Sequence, residues 1–353
     1  MADIRDWLKL AVEKGASDVF IGVGRRISFK IDGLLNPQCE YKFNIDEVEA
    51  AIKALYEMAN RTMEKFNEAG DDDFPISIPG SARFRVNVYR QRATVAAVIR
   101  VVLFELPDYQ ALSIPDEVMG IASKHNGLVL VTGSTGTGKT TTLACIIDKI
   151  NKTRNCHIIT MEDPIEFLHR DAQSIVSQRD IEMDTKSYLT ALRACLRQAP
   201  DIILLGEMRD YETIGTAMTA AETGQLVIST LHTTGAVNTI DRVIDVFPPE
   251  QQQQIRVQLS MVLQTVVTQR LLPNKTNGLV PAFEIMHINS AIRNLIRESK
   301  THQIDNVIQT SSQEGMISMD GYILKLFKNG EITADVAISN AVDPEQMTRR
   351  VAM

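Results

Sequence analysis

The stretch GSTGTGKT, at residues 133–140, decides the fold of this chain. It follows residues 128–132, a short apolar run typical of a strand buried on both faces of a sheet, and it precedes a helix-like stretch from Lys139 to about Lys152. The eight residues fit the pattern G-x-x-x-x-G-K-[ST], which is specific when a strand comes before it and a helix after it. We therefore predict a phosphate-binding loop here.

Such a loop binds phosphate because its glycines let the backbone curl until successive N–H groups and the N-terminus of the next helix face the ligand. Lys139 is expected to reach the β- and γ-phosphates, and the hydroxyl of Thr140 to ligate Mg²⁺, so the expected cofactors are ATP and Mg²⁺. The predicted phosphate-contacting residues are Gly133, Ser134, Thr135, Gly136, Thr137, Gly138, Lys139 and Thr140.

Residues 157–161 and 201–205 are two further apolar runs that we predict to be buried strands, and acidic segments follow them, EDPIE at residues 162–166 and GEMRD at residues 206–210. An isolated acidic strand end is more often a solvated loop, but two of them beside a phosphate-binding loop favour a site that holds metal and water. The carboxyl ends of parallel strands meet at one edge of a sheet. The acids expected at that edge are Glu162, Asp163, Glu166 and Glu207.

A fourth apolar run, residues 226–230, is followed by His232. Its place after a buried strand predicts that it lies at the same edge as the acids. A lone histidine is more often structural than functional, and the residues alone leave both interpretations open.

The amino-acid composition limits the classes of protein to which this chain can belong. The chain has 353 residues, of which 44% are hydrophobic and 23% charged, as expected for an ordinary globular protein of about two domains. Its net charge of −7 and its 5% aromatic content disfavour a protein that holds nucleic acid on a broad basic or stacking surface. We therefore expect no nucleic-acid partner.

The cysteines and the N-terminal residues indicate in which cellular compartment the protein works. Cys39, Cys145, Cys156 and Cys195 form no C-x-x-C pair, so we expect reduced thiols and neither a zinc ribbon nor a redox pair. The amphipathic, partly acidic start is unlike a signal peptide, and no apolar run approaches the roughly 20 residues that span a bilayer. These features predict a cytoplasmic protein.

Residues 1–105 are predicted to form an α+β domain. Helical spacing predicts helices over residues 3–14 and 45–69, the second of which ends at Gly70. Strands are predicted over residues 19–21, 27–31, 82–92 and 94–104, with Asp32-Gly33 as a tight turn.

Residues 106–116 carry two prolines and are the predicted linker. Residues 117–353 are predicted to have α/β organisation, because short apolar runs now alternate with helices. We expect a long helix over residues 249–270, starting at Pro249, and short helices after residue 289.

Four segments in this order, GSTGTGKT, EDPIEF, GEMRD and STLHTT, resemble the Walker A, Asp box, Walker B and His box of the secretion ATPases of the type II/type IV pilus superfamily. The resemblance covers nearly the whole chain, since residues 16–18 and 82–87 are similar to the family's N-terminal, PAS-like domain. It implies an α/β fold with a C-terminal RecA-like P-loop ATPase core and a smaller N-terminal α+β domain.

The resemblance also implies roles for the acids. Glu166, the last acid of the Asp box, resembles the general base that activates the attacking water, while Glu162 and Asp163 support the site. Glu207 matches the atypical Walker B acid, which helps to organise Mg²⁺ and its water shell.

Two further positions follow from the resemblance, and one departs from it. Thr141 extends the phosphate contacts, and His232 matches a sensor of the γ-phosphate. The family usually has another histidine where this chain has Gln225. Glutamine can hydrogen-bond but cannot become charged, which puts any role of a protonated imidazole there in doubt.

The alternation of residues 82–90 places Arg83 and Arg85 on one face of a strand. A solvated face is one interpretation. The resemblance suggests instead that these residues and Arg100, on the following strand, approach the nucleotide when the domains close, because a positioned arginine accelerates phosphoryl transfer.

SAIRNLIRE, at residues 290–298, resembles an element of the retraction ATPases within this family. An ordinary amphipathic surface helix is the alternative interpretation. The predicted segment for retraction and partner binding comprises Ala291, Ile292, Arg293, Asn294, Leu295, Ile296, Arg297 and Glu298.

The resemblance as a whole implies a hexameric cytoplasmic ATPase that powers type IV pilus retraction with ATP and Mg²⁺ and without zinc. Its expected partners are further copies of the chain, an inner-membrane pilus platform protein that holds it at the membrane's inner face, and a paralogous motor ATPase. An assembly or secretion motor is one alternative, which the absence of a tetracysteine motif disfavours. An ATP-binding accessory subunit with little turnover is another, and Gln225 keeps it open.

Overall fold

The structure, a computed structural model, describes residues 3–31, 33–102, 106–181, 183–276 and 278–352. The chain divides into two compact units. Unit 1 comprises residues 1–105 and 166–168, and unit 2 comprises residues 106–165 and 169–353.

Unit 1 is an antiparallel sheet with helices on one face. Its elements are α1 Ile4–Glu13, β1 Asp18–Gly22, β2 Ser28–Ile31, β3 Leu34–Pro37, α2 Ile45–Met58, α3 Glu64–Ala69, β4 Asp71–Ile78, β5 Ala82–Gln91 and β6 Thr94–Val102. The six strands have the order β3-β2-β1-β6-β5-β4. Alternate residues of β5, Phe84, Val86 and Val88, are fully buried in the core of this unit, as their spacing predicts.

The single helix predicted over residues 45–69 is wrong, because two helices form instead. α2 begins in a capping box between Asn44 and Glu47, and the chain leaves the helical conformation at Asn60, whose φ is +51°. The strands β3 and β4 were not predicted. Asp32 of the predicted turn, and residues 103 and 104 of the last predicted strand, lie outside the described residues.

Unit 2 is a mixed sheet covered by helices on both faces. The elements around its sheet are α4 Asp116–Met119, β7 Gly127–Thr132, α5 Lys139–Thr153, β8 His157–Glu162, β9 Ile175–Asp180, α6 Tyr188–Cys195, β10 Ile202–Leu205, α7 Tyr211–Glu222, β11 Leu226–Leu231, α8 Ala236–Asp245, α9 Pro249–Val262, β12 Leu263–Pro273 and β13 Leu279–His287. Five helices follow: α10 Ser290–Arg297, α11 Ile304–Thr310, α12 Met319–Lys328, α13 Ala334–Asn340 and α14 Pro344–Val351.

The sheet of unit 2 has the order β13-β12-β7-β11-β10-β8-β9. All neighbouring pairs are parallel except β12 and β13. Every residue of β7, β10 and β11 is buried, because apolar clusters cover both faces. The predicted buried strands and the predicted α/β class are therefore confirmed.

The helix predicted over residues 249–270 is correct only over its first 14 residues. α9 begins at Pro249 as expected, but it ends at Val262, and β12 starts at the next residue. The β-branched run at residues 265–268 pairs in parallel with β7, and this pairing overrides the helical pattern. The short helices expected after residue 289 are present.

All four cysteines are free thiols, and Cys145 and Cys195 are buried. Burial raises the pKa of each of these two thiols to about 11. In the part of the chain that the structure describes, we find no helix with the length and apolar character needed to cross a bilayer.

Candidate functional site

The carboxyl ends of four strands form one edge of the unit 2 sheet. β11 lies between β7 and β10, and β10 pairs with β8, all in parallel. The phosphate-binding loop, the Asp box, the Walker B segment and the His box each follow one of these strands. The fold therefore brings these predicted segments to the same edge.

The loop of residues 133–140 is held open by glycine conformations. Gly133, Gly136 and Gly138 have φ values of +142°, +80° and +85°, which other residues rarely adopt. A side chain at Gly133 would also collide with the backbone oxygen of Gln269. The loop leads into the first turn of α5, so its backbone donors and the positive helix end face the same space. This bare cradle fits a nucleotide phosphate.

Lys139 lies inside the loop and is 8% exposed. Its Nζ donates to the backbone oxygens of Gly133 and Ser134, at 2.9 Å each. Burial lowers the pKa of this ammonium, and the nearby Glu207 counteracts that effect. The ammonium is thus held at the loop by weak neutral acceptors that a phosphate oxygen can replace.

The other loop side chains differ in exposure. Ser134 and Thr135 are exposed, Thr140 and Thr141 are half-buried, and Thr137 is buried with its hydroxyl donating to the Ser134 oxygen at 2.9 Å. Thr137 therefore stabilises the loop, while the other hydroxyls are accessible to a ligand.

Glu207 follows β10, and its side chain is 13% exposed. Oε1 forms a short ion pair with Arg209, and Oε2 lies 3.4 Å from Nε2 of His232. A cleft of about 490 Å³ opens beside these three residues, and Arg242 of α8 also lines it. The carboxylate predicted for metal organisation and the histidine predicted as a sensor are therefore in direct contact.

Glu162 holds the Asp box in place. It ends β8, is 8% exposed, and its Oε1 accepts hydrogen bonds from the Thr160 hydroxyl at 2.6 Å and from the Gln178 amide at 3.2 Å. Gln178 in turn accepts from the backbone N–H of His169 at 2.8 Å. These contacts anchor both ends of the segment that carries Asp163 and Glu166, which are exposed.

Oxygen ligands suit Mg²⁺, and a nucleotide-bound Mg²⁺ needs few of them from the protein. The accessible Thr140 hydroxyl and the Glu207 carboxylate supply this chemistry, so the residues fit the ion. Among the described residues, no group of three or more His, Cys, Asp and Glu side chains is placed to hold a metal by itself.

Gln225 lies at the opposite edge of the sheet. It directly precedes β11, its backbone oxygen accepts from Gly127 at the start of β7, and its Oε1 accepts from the Thr223 hydroxyl at 2.9 Å. The six residues of β11 separate it from His232, a span of roughly 20 Å. The substituted position is therefore remote from the phosphate loop.

The three predicted arginines lie in unit 1. Arg85 and Arg100 are opposite each other on β5 and β6. Arg85 forms an ion pair with Asp73, and Arg100 Nε lies 3.1 Å from Oδ1 of Asp18. Arg83 is half-buried on the same face of the sheet as Arg85, which confirms the predicted alternation.

The retraction-like segment forms α10, which Asn289 caps through a 3.0 Å bond from the Ile292 N–H. Ile292 and Ile296 are fully buried, and Leu295 packs against the same core. α10 follows β13, whose last residue pairs with the start of β12, so it begins at the edge opposite the phosphate loop. The retraction-like segment therefore lies at the edge of the sheet that is opposite the phosphate-binding loop.

Sequence reasoning missed Tyr188. This residue opens α6, and its hydroxyl lies 2.7 Å from the position that a Cβ on Gly206 would take. Burial, followed by the charges of Asp163, Glu207 and Glu162, raises the pKa of the hydroxyl. No sequence motif marks a tyrosine on the helix between the Asp box and the Walker B segment, because only the fold brings it there.

Glu284 on β13 was also missed. It is 7% exposed, and its Oε1 accepts from the backbone N–H of Ala236 at 2.7 Å, at the start of α8. Burial raises the pKa of this carboxyl group. Because α8 begins four residues after His232, Glu284 anchors the segment that follows the His box.

Comparison with known proteins identifies the family. The model of the family described as type II/IV secretion system protein matches residues 1–321. The type IV pilus retraction ATPase PilT of Pseudomonas aeruginosa is 43% identical over 348 residues, which are 97% of this chain and 99% of that protein. A twitching motility protein of Neisseria gonorrhoeae is 46% identical over 277 residues, 78% of this chain and 74% of that protein.

Solved structures agree with the sequence matches. A crystal structure of the pilus retraction motor PilT with bound ADP has a TM-score of 0.91 and 42% identity, and the match covers 99% of this chain and 100% of that one. The Legionella pneumophila ATPase DotB has a TM-score of 0.76 and 26% identity, over 96% of this chain and 95% of that one. The predicted fold, a smaller N-terminal domain and a C-terminal ATPase core, is thereby confirmed. Since the family model and these relatives match most of its length, the chain belongs to the type II/IV secretion system protein family.

Proposed function

We propose that this chain is an ATP-hydrolysing motor that drives the retraction of type IV pili. The observation that carries the proposal is the meeting of the phosphate loop, two acidic segments and His232 at the carboxyl ends of four neighbouring strands. Relatives that match most of the chain are named a pilus retraction ATPase and a twitching motility protein.

Nucleotide binding uses the loop of residues 133–140 together with Thr141. A phosphate replaces the backbone oxygens of Gly133 and Ser134 as the acceptor of Lys139, which charge attraction favours. Thr140 and Glu207 hold Mg²⁺, directly or through water. When bound, the ion neutralises charge on the β- and γ-phosphate oxygens.

Hydrolysis needs a base for the attacking water. Glu166 takes this role because its carboxylate is exposed and therefore accessible to water, whereas the carboxylate of Glu162 is engaged by Thr160 and Gln178. Asp163 supports the same segment. His232 reports the γ-phosphate to Glu207, since the two side chains are in contact.

Arginines and subunit assembly complete the motor. Arg83, Arg85 and Arg100 are the candidates that stabilise transferring phosphate charge when the two units close, and Arg85 and Arg100 then leave their aspartate partners. The motor works as a homohexamer in the cytoplasm. It is held at the membrane's inner face by a pilus platform protein, with a paralogous motor as a further partner.

The test in vitro is phosphate release by the purified protein. Lys139→Ala should abolish turnover, whereas Lys152→Ala on the far end of the same helix should keep it, since Lys152 is exposed and pairs with Asp148. Glu166→Gln should bind ATP and lose about 10²- to 10⁴-fold in rate. Wild-type protein that binds ATP with negligible turnover would favour an accessory subunit.

The test in cells is a deletion strain. Loss of a retraction motor should leave abundant pili without twitching, and complementation with the Lys139→Ala gene should not restore movement. Bald cells would instead identify an assembly motor.

A further inference from the structure

Gln269 on β12 lies beside the phosphate loop. Thr268 pairs with Thr132 at the end of β7, and their hydroxyls are 2.9 Å apart, so Gln269 stands next to the first residue of the loop. Gln269 is 3% exposed. A buried side-chain amide is costly unless its polar atoms are used, so its contacts indicate its role.

Gln269 contacts both ends of the loop. Its backbone oxygen occupies the space that a side chain on Gly133 would need, and its Nε2 is 3.0 Å from the position of a Cβ on Gly138. The close approach of the Gln269 backbone therefore excludes a side chain at Gly133, whereas at Gly138 the amide makes only a tight contact and the positive φ angle is what favours glycine.

The amide also contacts the helix that the loop leads into. Oε1 accepts a hydrogen bond of 2.8 Å from the hydroxyl of Thr142, which is fully buried in the first turn of α5. The backbone N–H of Thr142 donates to the Gly138 oxygen at 3.0 Å. One side chain thus spans the last glycine of the loop and the start of the helix.

The hydrogen bond to Thr142 also orients the amide. Because Oε1 faces the hydroxyl, the NH₂ group faces Gly138. With respect to the described residues, this NH₂ group makes no hydrogen bond. The Gln269 NH₂ group is therefore a hydrogen-bond donor that lies next to the loop, where a bound phosphate would place negative charge.

We infer that Gln269 is a positioning residue that holds the phosphate loop in its binding conformation and so sets its affinity for nucleotide phosphates. This role rests on the proposed function, since it requires that the loop binds ATP. Gln269 acts through the loop rather than on the reacting atoms, so its loss should weaken ground-state and transition-state binding alike. KM and the ADP dissociation constant should rise while kcat changes little.

A double-mutant cycle separates this role from simple core packing. Gln269→Met keeps the volume but leaves the Thr142 hydroxyl without its acceptor, which should lower the Tm and weaken Mg-ADP binding about tenfold. Thr142→Val combined with Gln269→Met removes both polar partners, which should restore most of the Tm but leave ADP binding weak. Gln269→Glu keeps the acceptor and turns the donor into an anionic oxygen, so it should weaken ADP binding most.

The measurements are calorimetric titration with Mg-ADP, thermal unfolding, and steady-state kinetics. Gln264→Met, near the start of β12 and five residues before Gln269, is the matched control and should bind ADP like the wild type. If the double variant regained ADP affinity together with its Tm, Gln269 would be a packing residue only. Failure of the wild type to bind ADP would instead refute the proposed function, so the two failures are distinguishable.

Discussion

Nε2 of His232 lies 3.4 Å from Oε2 of Glu207, across the carboxyl ends of two neighbouring strands. The second oxygen of Glu207 is engaged by Arg209. The carboxylate is therefore contacted on one oxygen by Arg209 and on the other by His232, so we expect a movement of the His232 side chain to reorient the acid that is proposed to organise Mg²⁺ and its water.

Glu207→Gln should lower kcat about 100-fold while Mg-ADP binding weakens far less, because the amide keeps the shape but loses the charge that orders metal and water. Phosphate release and calorimetric titration measure the two quantities. Glu222→Gln, an exposed acid at the end of α7, is the control. Equal turnover by Glu207→Gln and the wild type would exclude Glu207 from the catalytic site.

Tyr188→Phe removes one hydroxyl and keeps the ring. Across the described residues this hydroxyl has no hydrogen-bond partner, and it lies over Gly206 near the acids that follow β8 and β10. A half-buried phenol usually has a hydrogen-bond partner, so we expect this hydroxyl to contact the water or phosphate groups of the bound nucleotide. We expect kcat to fall about three- to tenfold with an unchanged ADP dissociation constant.

The control for this substitution is Tyr211→Phe, because that ring is 47% exposed on α7. A kcat of Tyr188→Phe equal to that of the wild type would show that the hydroxyl plays no part in turnover.

Stability should depend on pH through His169. Burial lowers the pKa of its imidazole to about 4 in the folded protein, whereas the unfolded chain takes up the same proton near pH 6.5. The unfolded state thus binds more protons between these values, so the stability is complete above about pH 6.5 and is lost as the pH falls towards 4. The loss at pH 5 should be about 2 kcal/mol.

His169→Gln should therefore lose less free energy of unfolding between pH 7 and pH 5 than the wild type, as measured by urea titration at both pH values. His302→Gln, an exposed histidine, is the control. An identical loss in His169→Gln and the wild type would assign the acid sensitivity to other groups.

The sequence predicts the phosphate loop well because its chemistry is local: glycines, Lys139 and Thr140 lie within eight residues, between a strand and a helix. It predicts β12 poorly. Periodicity continues from α9 into the following apolar run, and only pairing with β7 makes that run a strand. The edge strand β9 is polar and mostly half-buried, so its sequence shows no strong apolar periodicity, and only its place in the sheet makes it a strand.

The site residues divide in the same way. Glu207 and His232 each lie in a segment that directly follows a strand. Because these two strands are neighbours in the sheet, the contact between the two side chains follows from the strand order. Gln269 and Tyr188 act through neighbours more than 15 residues away in the chain, such as Thr142 and Gly206. Sequence spacing holds no information about such contacts until the fold is known.

The α10 segment should affect retraction without affecting the ATPase site. Ile292 and Ile296 are its buried anchors, while Arg297 is exposed and Arg293 half-buried. Replacing Arg293 and Arg297 with Ala should preserve folding and phosphate release, because α10 begins at the sheet edge opposite the phosphate loop. Twitching should nevertheless stop if the arginines contact a retraction partner. A variant that unfolds, or one that twitches normally, would instead make α10 an ordinary surface helix, and Arg349→Ala on α14 provides the matched surface control.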